Sequence, residues 1–181
     1  GVGAYLLIGW QRAPAAVFGS GRPTTSALGL FQVLPLTPYA AAVHAPTCHQ
    51  PRHPTGLWVE LPRLNIVLPV HPGDGSDRIP FCQALLYPGT VAPGQPGNSY
   101  LYAHGVAGMF GPLLLAQAGD EVVVTDYDLG TVQTLHVSRV VGRVRYNDVS
   151  WLRASSARPL LTLQTCVDYS VKGDRWIVLA A

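Results

Sequence analysis

The sequence predicts an all-β protein, closed as a barrel or packed as a sandwich. Three observations carry that reading. Glycine (19) and proline (16) are abundant and divide the chain into short pieces. From Leu57 onward the pieces between them are short apolar runs rich in Val, Leu, Ile, Thr and aromatic residues. Only two stretches have the look of helix, and each amounts to about one turn.

Taken in order, Trp58 to Val70 reads as two strand pieces around a proline bend, confined by its prolines to an edge or a bulge. Asn98 to His104 is a strand, as is Glu121 to Tyr127. Asp128-Leu129-Gly130 is the turn that follows. Thr131 to Val144 makes a long strand with a bend expected near Gly142. Leu160 to Val167 and Arg175 to Ala180 complete the set. Phe110 to Leu115 and Val149 to Leu152 are the two helical turns. No internal repeat is present.

At 181 residues the chain can form one domain with a substantial core, burying roughly two-thirds of its unfolded surface. Apolar residues make up 48% and charged residues 12%, which excludes a highly solvated, disordered chain. The formal net charge is +2, and Lys and Arg form no cluster. The electrostatic footprint of a nucleic-acid binder is therefore missing.

The first 56 residues read differently. Residues 1–20 form an apolar segment, and its opening ten residues are too few to span a bilayer. They fit either the trailing end of a membrane or signal segment or a docked apolar tail. An opening Gly1 points to a fragment or a processed product. Residues 21–56, rich in Pro, Gly, Ala, Ser and Thr, read as a linker. His44, Cys48, His49 and His53 within it are soft metal ligands, but their spacing matches no standard zinc site, and no metal or other cofactor is expected.

Three cysteines, Cys48, Cys82 and Cys166, are an odd number. A disulfide framework is unexpected in a domain of this length, and at least one thiol stays free. Cys82 lies in an apolar run, Ile79 to Leu86, and reads as a buried, inert thiol. Replacing Cys48 or Cys82 by Ser is accordingly expected to leave turnover intact. Cys166 differs. Strand alternation puts Thr162, Gln164 and Cys166 on one face and Leu161, Leu163 and Thr165 on the other. The thiol thus falls on the more polar face at a strand end.

Cys166 and Arg175 flank a short connection containing Lys172-Gly173-Asp174. A hairpin there sets thiol and guanidinium at neighbouring strand ends. A thiolate is the nucleophile, and a fixed cation stabilises it and can hold an oxyanion. Among six histidines, His104 is the best proton carrier, because it ends an apolar strand and precedes Gly105. His136 lies inside a strand. The other four lie in Pro-rich or turn-like surroundings. Together His104, Cys166 and Arg175 suffice for acyl transfer through a thioester.

These residues resemble those of the sortases, cysteine transpeptidases of the bacterial surface. Leu161-Thr162-Leu163-Gln164-Thr165-Cys166 is similar to the family's TLxTC motif, and Arg175 falls where its arginine follows the cysteine. His104 stands where the family has its histidine. Pro96-Gly97-Asn98, Phe110, Leu113, Gly119-Asp120 and Trp58 to Pro62 resemble flanking family segments. The likeness spans Trp58 to Ala180. Ala103 departs from the usual Gly before the histidine, and no acidic cluster of the calcium-dependent members is evident.

The resemblance implies an eight-stranded barrel over residues 57–181 with one or two short helices, lying on the extracellular face of the bacterial plasma membrane. It also implies a tether upstream of the chain. The partners it implies are a C-terminal LPxTG-like sorting signal of a surface protein and an amine acceptor from cell wall or pilin. Cys166 is then the nucleophile, His104 the acid–base group, Arg175 the oxyanion or backbone clamp, and Thr165 a peptide contact. Two rivals remain open: a non-catalytic β-barrel interaction module, in which His104 and Arg175 point away from Cys166, and a hydrolase variant of the same fold.

Overall fold

The computed structural model describes residues 47–168, 170 and 172–181. The apolar segment 1–20, the linker up to residue 46 and His44 lie outside the described residues.

Eight strands close into a barrel. They are β1 (Leu57–Leu61), β2 (Ile66–Pro72), β3 (Ala84–Leu86), β4 (Gly97–Tyr102), β5 (Glu121–Asp126), β6 (Thr131–Val144), β7 (Pro159–Cys166) and β8 (Arg175–Ala180). Their order around the barrel is β1-β2-β3-β4-β7-β8-β6-β5, and β1 pairs with β5 to close it. Two neighbouring pairs, β2–β3 and β4–β7, are parallel. The expected strands all form. The three-residue β3 falls inside the run read as merely apolar, too short to show a period.

Proline and glycine act where the sequence places them. Pro62 opens a 3-10 turn, Pro62–Leu64, between β1 and β2. Pro69 is tolerated inside β2 because β3 starts to pair only at Val70, which leaves that part of β2 an edge. Gly142 has φ +85° and sits at a bulge in the β6–β8 ladder. This produces the bend expected of the long strand. The two helical turns are 3-10 segments, Gly111–Leu115 and Ser150–Arg153.

The barrel interior is one apolar cluster that includes Leu61, Ile66, Leu68, Leu101, Leu161 and Leu163. A second, smaller cluster lies on the outer face of β3, β4 and β8. There Leu85, Tyr100, Tyr102 and Ile177 are covered by Ile79 and Tyr87 and by Trp151 and Leu152 of the β6–β7 connection. Polar bonds fix that connection. Thr162 donates to Asn98 Oδ1 at 2.7 Å, and Asn98 Nδ2 donates to the Trp151 carbonyl at 2.9 Å. Asn98 and Thr162 are both buried, so loss of either partner strands a polar group.

Cys48 and Cys82 form a disulfide with a Cα–Cα distance of 5.1 Å. Cys82 is therefore not the inert thiol expected. The two residues are 34 positions apart, a loop whose closure restricts the unfolded chain by about 3–4 kcal/mol in the entropic account. Cys48 also packs against the core.

Arg63 Nη2 donates to Asp120 Oδ2 at 2.5 Å and to the Leu115 carbonyl at 2.7 Å. The Gln117 N–H donates to the same carboxylate at 2.7 Å. The Arg63 bond, followed by the Gln117 N–H, holds the buried Asp120 carboxyl below the usual carboxylate range against the opposing effect of burial. A carboxyl depressed on folding adds stability above its unfolded pKa of about 3.9 and loses it as pH falls through the lower folded value. Asp120→Asn is expected to lower Tm by roughly 3–6 °C at pH 7. The gap to wild type should close on acidification below about pH 4. Thermal melts across pH 2–7 check this; a constant gap would contradict it.

Candidate active site

The β7–β8 ladder pairs Cys166 directly with Arg175. Leu161, Leu163 and Thr165 point into the barrel, where they are fully buried. Cys166 therefore points outward, half-buried at the strand's last position, and is the free thiol among the described cysteines. Arg175 opens β8 and donates from Nη1 to the Gly173 carbonyl at 2.5 Å, which fixes its stem beside the thiol.

His104 stands two residues past β4. Its carbonyl accepts from the Phe110 N–H at 3.1 Å, and Ala103 donates to the Gln164 carbonyl at 3.2 Å. Gly105 follows, and its main chain runs against that of Cys166. A Cβ built there would lie 2.4 Å from the Cys166 carbonyl oxygen. This close approach accounts for the shifted glycine: Ala103 is buried in the core, and Gly105 is where no side chain fits.

His104, Cys166 and Arg175 line one cavity of about 310 Å³. Its floor includes Tyr100, Tyr102 and Gln164, with the Tyr100 hydroxyl donating to Gln164 Oε1 at 2.6 Å. Burial pushes the Tyr100 phenol well above its ordinary value, so it remains a neutral donor. Tyr146, Val149 and Leu152 of the β6–β7 connection form one wall. Gly75, Asp77 and Ile79 of the β2–β3 connection form another.

Thr165 does not take the place of the peptide contact that the resemblance implies: it faces the interior, is fully buried, and spends its hydroxyl on the Ala103 carbonyl at 3.1 Å. Alternation places it one step from Cys166 and on the opposite face. It ties the histidine's strand end to the cysteine's strand.

Burial pushes the Cys166 thiol up from its ordinary value. Arg175 pulls it back, while Asp168 and Asp77 add to the rise. Sequence reasoning missed those two carboxylates, because both lie in connections with no period to place them. It likewise missed the wall residues Ile79, Tyr146, Val149 and Leu152.

A half-buried thiol, an imidazole and a guanidinium in one cleft on a closed β-barrel define a candidate cysteine acyl-transfer site. The family model of the sortase domain matches residues 59–181; this chain belongs to the sortase family, a family of transpeptidases. No functionally curated protein matches the sequence. Ninety-eight chains of solved structures match the chain's structure. Sortase C-1 of Actinomyces oris shares 27% identity at a TM-score of 0.59, over 68% of this chain and 71% of its own. Streptococcus pneumoniae sortase C shares 25% at 0.60, over 72% and 69%. Listeria monocytogenes sortase A matches at 0.59 over 70% and 85%. Its 20% identity is likeness of fold.

The electrostatics around the sulfur can be measured by iodoacetamide alkylation of the resting protein against pH. The apparent thiol pKa should lie above the ordinary value of about 8.5. Asp168→Asn should move it down and Arg175→Met should move it up. Identical profiles in all three proteins would contradict the charge balance described.

Proposed function

We propose that this chain is a sortase-type cysteine transpeptidase. It cleaves an LPxTG-like sorting signal through a thioester on Cys166 and passes the acyl group to a cell-wall or pilin amine. The observation that carries this reading is the convergence of Cys166, His104 and Arg175 on one cleft of a sortase barrel. The pneumococcal relative is described with pilin substrate specificity, which supports the same substrate class here.

The chemistry runs in two halves. On substrate binding the Cys166 thiol gives its proton to His104, and the sulfur adds to the threonine carbonyl. Arg175 holds the oxygen that gains charge, or the adjacent peptide backbone. The carbon–nitrogen bond breaks as His104 returns the proton to the leaving amine. In the second half the acceptor amine adds to the thioester and gives a proton to His104. The carbon–sulfur bond then breaks as His104 returns that proton to the sulfur, leaving a new amide and the Cys166 thiol. Water in place of the amine gives hydrolysis with the same groups.

The upward push of burial on the Cys166 thiol supports this scheme, since the neutral form resists oxidation. The Cys48–Cys82 disulfide supports placement on the oxidising, outer side of the membrane. There an upstream tether would hold the barrel near its substrates.

Incubation with an LPxTG peptide library and an amine, read by mass spectrometry, tests the reading. A thioester adduct on Cys166 and an amide product are expected, and Cys166→Ala should abolish both. His104→Ala and Arg175→Ala should each cost at least about 100-fold. Carboxylic acid as the main product with amine in excess would favour the hydrolase. Near-normal turnover in either variant would remove that residue from the mechanism.

A further inference from the structure

The imidazole of His104 meets main chain, not a carboxylate. Its Nε2 lies 2.6 Å from the carbonyl oxygen of Ile79. A carbonyl can only accept, so Nε2 carries the proton. In the neutral ring this leaves the Nδ1 lone pair to take a proton from the thiol or the incoming amine. The Phe81 ring lies against the face of the same imidazole, with centroids 5.1 Å apart. One short segment thus holds the edge and the face of His104.

That segment, residues 73–83, has no regular structure. Its internal bonds span two residues at a time, as from the Arg78 N–H to Ser76 Oγ and from the Ile79 N–H to the Asp77 carbonyl. Its far end is tied covalently. Cys82 follows Phe81 in a left-handed conformation, φ +60°, and is bonded to Cys48, which packs on the barrel core. A continuous path therefore runs from the core through the disulfide to Phe81 and Ile79, and from them to His104.

We propose that the Ile79 carbonyl, held in place by Phe81 and the Cys48–Cys82 disulfide, is the orienting partner of His104. It does the work that a third side chain does in other cysteine–histidine sites. Ile79, Phe81 and the cystine are positioning groups; none needs to touch substrate. The segment walls the cleft without filling it, so the contact is supportive. This reverses the expectation that Cys48 and Cys82 are dispensable for turnover. It also couples the site to its surroundings. A dithiol that transfers two electrons and two protons to the cystine, leaving as its own disulfide, would free the segment and with it the ring.

The proposal rests on His104 as the proton carrier, and its test separates the two ideas. Ring-nitrogen NMR of the whole chain, at a pH where His104 is neutral, reports its tautomer without reference to activity. Wild type should show the Nε2-protonated form alone. The double variant Cys48→Ser/Cys82→Ser should show mixed tautomers, with kcat lower by roughly 10–100-fold and KM within about twofold. Phe81→Ala, with the disulfide intact, should shift both readouts the same way. It alone decides if the double variant does not fold. An unchanged tautomer and kcat with only a lower Tm would overturn the proposal and leave the cystine a plain staple. A rise in kcat would overturn it too, by making the segment an obstruction. A wild-type protein with the single tautomer but no turnover would sink the proposed function and leave the orienting contact standing.

Discussion

The register between β7 and β8 sets everything else in this molecule. Leu161 pairs with Ala180 and Leu163 with Val178, and all four are buried inside the barrel. Because side chains alternate, those two pairs oblige Gln164 with Ile177, and Cys166 with Arg175, to face outward. A slip of one residue would turn the sulfur into the core and leucines into the cleft. The hydrophobic interior thus sets a thiol and a guanidinium on paired positions of the outer face.

What stands on that outer face is a contest of modest terms. Burial and two carboxylates, Asp168 and Asp77, push the Cys166 thiol up, while Arg175 opposes them. The walls that impose the burial are two connections between strands, β2–β3 and β6–β7. The β6–β7 connection is held through Asn98 and Trp151. The β2–β3 connection is held through the cystine. A rigid barrel with two locally fastened walls gives a cleft whose floor is fixed by strand geometry and whose shape is fixed by a few side-chain bonds.

The long strands were legible as short apolar runs between glycines and prolines, and the period of two separated Leu161, Leu163 and Thr165 from the Cys166 face. His104 was legible as the end of an apolar run. Three things were not. The strand β3 is only Ala84–Leu86, shorter than any period. The Cys48–Cys82 pair joins residues 34 apart, a proximity that spacing cannot reveal, and the odd cysteine count argued the other way. The inward turn of Thr165 was in fact implied by the alternation. Its neighbourhood to Cys166 in sequence suggested a substrate contact that its face forbids. Gly105 was visible as a departure from pattern, but its cause, the main chain of Cys166 lying against it, exists only in three dimensions.

The cross-strand partnership of Cys166 and Arg175 can be read directly by trapping the protein with a sorting-signal peptide that ends in an aldehyde and solving the adduct. The account predicts a covalent bond from the Cys166 sulfur to the former carbonyl carbon. It also predicts the Arg175 guanidinium within hydrogen-bond distance of the resulting oxygen or of the adjacent peptide carbonyl. An adduct on Cys166 with Arg175 directed into solvent, and neither peptide oxygen in its reach, would contradict it.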